Sequence, residues 1–192
     1  MVMCWSANGS LATWAAAMVL AGATYGYEPK LWLFAFVFTQ MQLIEYFLWK
    51  DLKVPRLNTL WSKVGLFVIL LEPVAAIYLI EDIALRSKML AGYAVYVAAL
   101  LMTQKFDFTT TVGGNGHLKW NWTLPFLASI PWFLFFIAPL WISGNYGSLT
   151  VAVATLAMST YFYSQYGTIS SMWCWIAVLS WLTIFAKSRK IF

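Results

Sequence analysis

Two carboxylic acids sit where the chain is otherwise oily. Glu45 lies in Gln40-Met41-Gln42-Leu43-Ile44-Glu45-Tyr46-Phe47-Leu48-Trp49, and Glu72 lies immediately before Pro73 in a long apolar run. At helical spacing Gln42, Glu45 and Trp49 fall on one stripe, and Glu72 shares a face with Gly65 and Ala76. A carboxyl surrounded by hydrocarbon is neutral, paired or in contact with water. The chemistry open to such groups is proton titration or the attraction of a cation, so Glu45, Glu72 and Gln42 are candidates for an ion or proton path. The competing structural role is an interhelical hydrogen bond, contributing about 1 kcal/mol.

A second constellation is scattered along the chain. It comprises Cys4 and Trp5 near the start, Asp107, the segment Gly113-Gly114-Asn115-Gly116-His117-Leu118-Lys119-Trp120-Asn121-Trp122, and Ser171-Met172-Trp173-Cys174-Trp175. Three chemistries compete for it. Cys4, Cys174, His117 and a carboxylate have the donor types of a metal site, although their spacing matches no metal motif. Cys4 and Cys174 can instead form a disulfide in an oxidising compartment, or serve as small buried apolar residues. His117 is the only histidine, which excludes a two-histidine site or a histidine relay. Its flanking glycines suggest a tight re-entrant or capping loop, where a lone histidine is ordinarily a surface hydrogen-bonding residue, and Trp120 and Trp122 beside it offer a ligand-facing role as the alternative.

The elements that must position these residues are membrane helices. Of the 192 residues, 62% are hydrophobic and only 10% charged, with 12 Trp and 10 Tyr, a composition that a water-soluble domain of this size cannot bury. Seven stretches are long and apolar enough to be read as spans: residues 5–25, 31–49, 60–80, 89–104, 124–143, 148–165 and 172–186. Six is the alternative count, because only a short polar turn separates the last two. We expect an all-α polytopic transmembrane bundle forming a single domain over residues 1–192. The first apolar stretch is long enough to span and lacks a charged leader, so no cleavable signal peptide is expected. Pro125, Pro131 and Pro139 should bend the fifth helix and free backbone carbonyls. Small and weakly polar residues mark helix contact faces, at Ser6, Ser10, Thr13 and Ala17 in the first helix and at Ser148, Ala152, Thr155 and Ser159 in the sixth.

With seven spans, the N-terminus and the second, fourth and sixth loops share one side. This arrangement gathers Cys4, Trp5, Glu45, Asp107, His117, Trp120, Trp122, Trp173 and Cys174 at one end of the bundle. Orientation does not follow from charge. That side carries Lys50, Lys53, Arg56, Lys63, Lys105 and Lys119, and the other carries Lys30, Arg86, Lys88, Lys187, Arg189 and Lys190. The net charge of +5 is spread in juxtamembrane clusters, which argues for lipid anchoring and against nucleic acid. Asn121-Trp122-Thr123 is a formal glycosylation sequon abutting the membrane. A retinal protein is excluded because no span has an interior lysine.

The motifs Met3-Cys4-Trp5-Ser6, Gln42-Leu43-Ile44-Glu45-Tyr46-Phe47-Leu48-Trp49, Gly116-His117-Leu118-Lys119-Trp120-Asn121-Trp122 and Trp173-Cys174-Trp175 resemble those of an uncharacterised polytopic membrane family of large DNA viruses, protists and bacteria. The resemblance covers the whole chain. It implies one recurrent arrangement of these residues, a viral source among others, and no assigned activity.

The sequence therefore leads us to expect a channel or transporter-like integral membrane protein. Its partners would be the bilayer, a small ion or small-molecule ligand and further copies of itself, and no cofactor is expected. A membrane-embedded enzyme or metal-binding protein, and a noncatalytic scaffold, are the alternatives.

Overall fold

A computed structural model describes residues 6–189, with all side chains in that span except those of Trp175, Ile176 and Ala177. Helices dominate it. In order they are α1 (Ala7–Thr24), α2 (Pro29–Lys50), α3 (Pro55–Ile77), α4 (Ile83–Thr103), α5 (Phe126–Ile142), α6 (Tyr146–Tyr163), α7 (Ile169–Ala177) and α8 (Ser180–Ser188). Between α4 and α5 lie two short antiparallel strands, β1 (Thr110–Val112) and β2 (Leu118–Trp120), with Thr111 opposite Lys119. The helix starts have ordinary local causes. Proline occupies the first position of α2 and α3, where no intrahelical N–H is needed. Ser6 caps α1 by accepting from the Gly9 amide, and Asp82 caps α4 by accepting from Ala84 and Leu85.

Seven expected helical segments are present, with ends shifted by a few residues, but the last is broken at Val178-Leu179 into α7 and α8. Three helices, α2, α3 and α4, are both long and apolar enough to cross a membrane, and α5 is a shorter apolar helix. The expectation of a purely helical chain needs one correction, the β-hairpin. Thr110-Thr111-Val112 and Leu118-Lys119-Trp120 are β-branched or bulky triplets flanking a glycine-rich turn, with Gly116 at φ 80°.

The core forms where α2 packs between α1 and α3, and α3 continues onto α5. It contains Phe34, Phe38, Met41, Leu48, Ile77, Trp132, Phe136, Trp173 and Trp181, all buried. All four small residues expected on one face of α6, Ser148, Ala152, Thr155 and Ser159, are buried, and they are the buried residues of that helix. Trp173 of α7 lies against them and donates its indole N–H to the Thr155 hydroxyl at 3.1 Å and the Ala152 carbonyl at 3.2 Å. By contrast α4 buries only Tyr93 and Leu100.

Those two kinds of packing meet at the prolines. Pro73 inside α3 cannot donate to the carbonyl of Ile69, four residues earlier, and its ring opens that turn. The Trp132 indole of α5 fills the place, donating to the Ile69 oxygen at 2.9 Å. Tyr93 of α4 donates to the next carbonyl, Leu70, at 2.8 Å. The same offset recurs in α5, where Tyr96 donates at 2.7 Å to Ala128, three residues before Pro131. Two tyrosines one helical turn apart on α4 therefore satisfy the opened turns of two different helices.

Candidate functional site

The hairpin fixes the first wall of the site. Asn58, on the first turn of α3, donates its side-chain amide to the Thr110 carbonyl and accepts from the Thr110 amide, both at 2.8 Å, copying the pairing of a neighbouring strand. The Thr110 hydroxyl then lies 3.0 Å from Ser62 Oγ and accepts the Trp122 indole N–H at 2.9 Å. Trp122 is thereby driven into the bundle, fully buried, with Trp120 stacked on it at 4.8 Å between ring centroids. It packs directly on Gly65 of α3, where a Cβ would come within 2.6 Å of the indole. The glycine face noted beside Glu72 is thus the seat of this ring.

Below Trp122 is a partly enclosed cavity of about 70 Å³, lined by Leu66, Ile69 and Glu72 of α3, Trp132 of α5, Ser170, Trp173 and Cys174 of α7, and the connecting residues Trp122, Thr123 and Leu124. The positions of Leu66, Ile69 and Glu72, three residues apart, put them on one face of α3 over about 9 Å of helix. Glu72 is 1% exposed, and neither of its carboxyl oxygens has a hydrogen-bond partner among the described residues. The competing structural role, an interhelical hydrogen bond, is therefore not seen for Glu72 among the described residues. Buried carboxyls ordinarily have such partners, so one lining a cavity without them is an uncommon arrangement. The three indoles around it all direct their N–H elsewhere: Trp122 to Thr110, Trp132 to Ile69, and Trp173 to α6.

Glu45 is bonded in a different manner. It is fully buried; one carboxyl oxygen accepts from Ser171 Oγ of α7 at 2.5 Å, and the other accepts from Gln42 Nε2 at 3.3 Å. It ties α2 to α7 and does not line the cavity. The two glutamates also differ in depth: Glu45 is roughly 8 Å from the end of α2, whereas Glu72 is roughly 26 Å along α3 from the start that follows it. They do not form one continuous carboxylate stripe.

The remaining sequence candidates divide in the same way. Trp122, Trp173 and Cys174 line the cavity with Glu72. Trp120 backs Trp122 from behind. His117 is buried at the hairpin turn with its ring edge-on to Tyr163 at 5.6 Å, and it does not line the cavity. Asp107 is exposed and accepts from the Thr109 hydroxyl at 2.9 Å, which makes it a turn residue. Cys4 and Trp5 lie outside the described residues, and so does the proposed Cys4–Cys174 pairing. Among the described residues no group of three or more His, Cys, Asp or Glu is placed to hold a metal ion. The sequon asparagine uses its amide nitrogen to bond Thr109 Oγ1 at 2.9 Å, and the next residue, Trp122, is buried.

Sequence reasoning missed Trp132, Ser170, Asn58 and Thr110. Trp132 alone left a signal, in that an indole directly after Pro131 in a helix facing Pro73 can reach a freed carbonyl. Comparisons with family models, with curated proteins and with solved structures return no match.

Proposed function

We propose that this chain is a polytopic membrane protein of the channel or transporter type, in which Glu72 is the group that meets a proton or a monovalent cation. The observation that carries the reading is the buried Glu72 carboxyl on a cavity, without a hydrogen-bond partner among the described residues and without a basic residue in the lining. A buried carboxylate needs a counter-charge, and a carboxylate at a cavity can exchange it. Glu45, sealed by Ser171 and Gln42, is assigned the structural role, so the path is narrowed from two carboxylates to one.

The seven-span topology belongs to the same proposal. Helices α1, α5 and α6, of 17 to 18 residues, are about 26 to 27 Å long, close to the thickness of a bilayer core. The α7–α8 pair then forms the last crossing as a broken helix. Discontinuous helices beside a polar cavity are a recurring feature of transporter binding sites, and α7 contributes Ser170, Trp173 and Cys174 to this cavity. The scaffold alternative calls for both carboxylates to be sealed, and Glu72 is not. The metal-dependent alternative has no supporting ligand group among the described residues.

The test is flux of protons and of monovalent cations into vesicles containing the purified full-length chain, comparing wild type with Glu72→Gln and Glu45→Gln. We expect Glu72→Gln to reduce flux about tenfold or more, while Glu45→Gln retains it within a few-fold. Flux no greater than in empty vesicles, or flux indifferent to Glu72→Gln, overturns the proposal.

A further inference from the structure

The cavity's chemistry also bears on which cation it takes, an inference that rests on Glu72 acting as a cation-binding group. Its walls are unusual in what they withhold. Three indoles line it, and because each N–H is bonded outside the cavity, what they contribute is aromatic carbon and π-electron density. Apart from the indoles, the lining residues with polar side chains are Glu72, Ser170, Thr123 and Cys174, and no Lys, Arg or His is among them. Aromatic rings and a carboxylate both attract cations.

Ca²⁺ takes about six to eight oxygen ligands and Mg²⁺ retains several waters around one or two carboxylates, and one carboxylate with two hydroxyl residues in a cavity of about 70 Å³ offers neither that many ligands nor room for a hydrated ion. An ammonium ion brings its own directional N–H donors, which one carboxylate and two hydroxyls can accept, and its remaining surface suits indole. Size narrows the class further. At about 70 Å³, the cavity exceeds the ~10–15 Å³ needed to hold one water and is about half of the ~150 Å³ that admits benzene. We infer that the Glu72 cavity is a recognition site for ammonium or a small primary alkylammonium such as methylammonium, held by the carboxylate and by the faces or edges of Trp122, Trp132 and Trp173.

Labelled methylammonium binding to the purified full-length protein in detergent, followed in parallel by tryptophan fluorescence, tests this directly. The expected result is saturable binding that ammonium competes away, whereas tetramethylammonium and potassium at equal concentration do not. Competition within the wild-type protein requires no variant to fold. Glu72→Gln should weaken methylammonium about tenfold or more, with thermal stability retained, and Ser170→Ala should weaken it a few-fold. Absence of saturable binding, equal competition by potassium or tetramethylammonium, or unchanged affinity in Glu72→Gln overturns the inference. Glu72-dependent proton or potassium flux without methylammonium binding defeats the ammonium assignment and leaves the transport reading standing. Methylammonium binding without any flux does the reverse.

Discussion

Glu45 and Glu72 are the same residue type at similar burial, yet one is hydrogen-bonded on both oxygens and the other lines a cavity without a partner among the described residues. Replacing Glu45 by Ala leaves the Ser171 hydroxyl and the Gln42 amide without the acceptor each now uses, so it should destabilise the fold by about 1–3 kcal/mol. Glu72→Gln severs no hydrogen bond to a described residue and should leave the melting temperature unchanged or raise it; thermal unfolding of the two variants in detergent measures the contrast. A lower melting temperature for Glu72→Gln by more than that of Glu45→Ala would show that Glu72 is the structural carboxyl. Gly65 is the second residue with a sharp expectation. A Cβ there would lie 2.6 Å from the Trp122 ring, and the ring is pinned by Thr110 and backed by Trp120. Gly65→Ala should therefore cost about 1–3 kcal/mol through overpacking and displace the indole that roofs the cavity, which a shift in tryptophan emission reports.

At the scale of elements, the hydroxyls of Tyr93 and Tyr96 are the main polar attachments of α4 to the rest of the bundle. Tyr93→Phe and Tyr96→Phe should each cost about 0.5–1.5 kcal/mol. Although one holds α3 and the other α5, their rings stand 5.8 Å apart and both meet Phe135, so the double variant should depart from the sum of the two; unfolding of the three variants measures that coupling. The helices themselves were legible from the sequence, and the small-residue face of α6 was legible residue by residue, since apolar length and small-residue spacing are local signals. What the sequence did not display was long-range. The hairpin's strands of three residues each are too short for an alternating pattern to stand out, and they are held by Asn58, Ser62 and Trp122. The gap at α7–α8 was likewise hidden in a uniformly apolar stretch. Of the candidate cluster, Trp122, Trp173 and Cys174 proved to be neighbours, and they meet Glu72 of the carboxylate pair. His117 and Asp107 drew notice by residue type alone, which carries no information on where a side chain lies.

Seen whole, the molecule has polar fastenings at both ends and a cavity between helices. At the end away from the hairpin, Lys30 at the start of α2 bonds Glu81 between α3 and α4 at 2.7 Å, and the lysine, through hydrogen bonding and charge, holds the Glu81 carboxyl below its usual range. The sign follows from that lowering. The pair contributes stability above the unfolded carboxylate pKa of about 4.3, and the contribution is lost as pH falls through the lower folded value. Glu81 is largely exposed, so the effect should be small and should fade at high salt; Lys30→Met should lessen the salt sensitivity of the acid limb of an unfolding curve measured against pH. A different consequence follows from the sparse burial of α4. A helix that fully buries only Tyr93 and Leu100, and otherwise meets the bundle through half-buried residues such as Leu90 and Val97, places few demands on its exposed positions, so saturation mutagenesis should find it the most permissive long helix in the chain. Almost any apolar substitution should survive at its exposed positions, Gly92→Ala included, since an added Cβ there would make ordinary contact with the Phe135 ring at 3.5 Å, and intolerance should be confined to the residues that meet the bundle, the two tyrosines, Leu90, Val97 and Leu100.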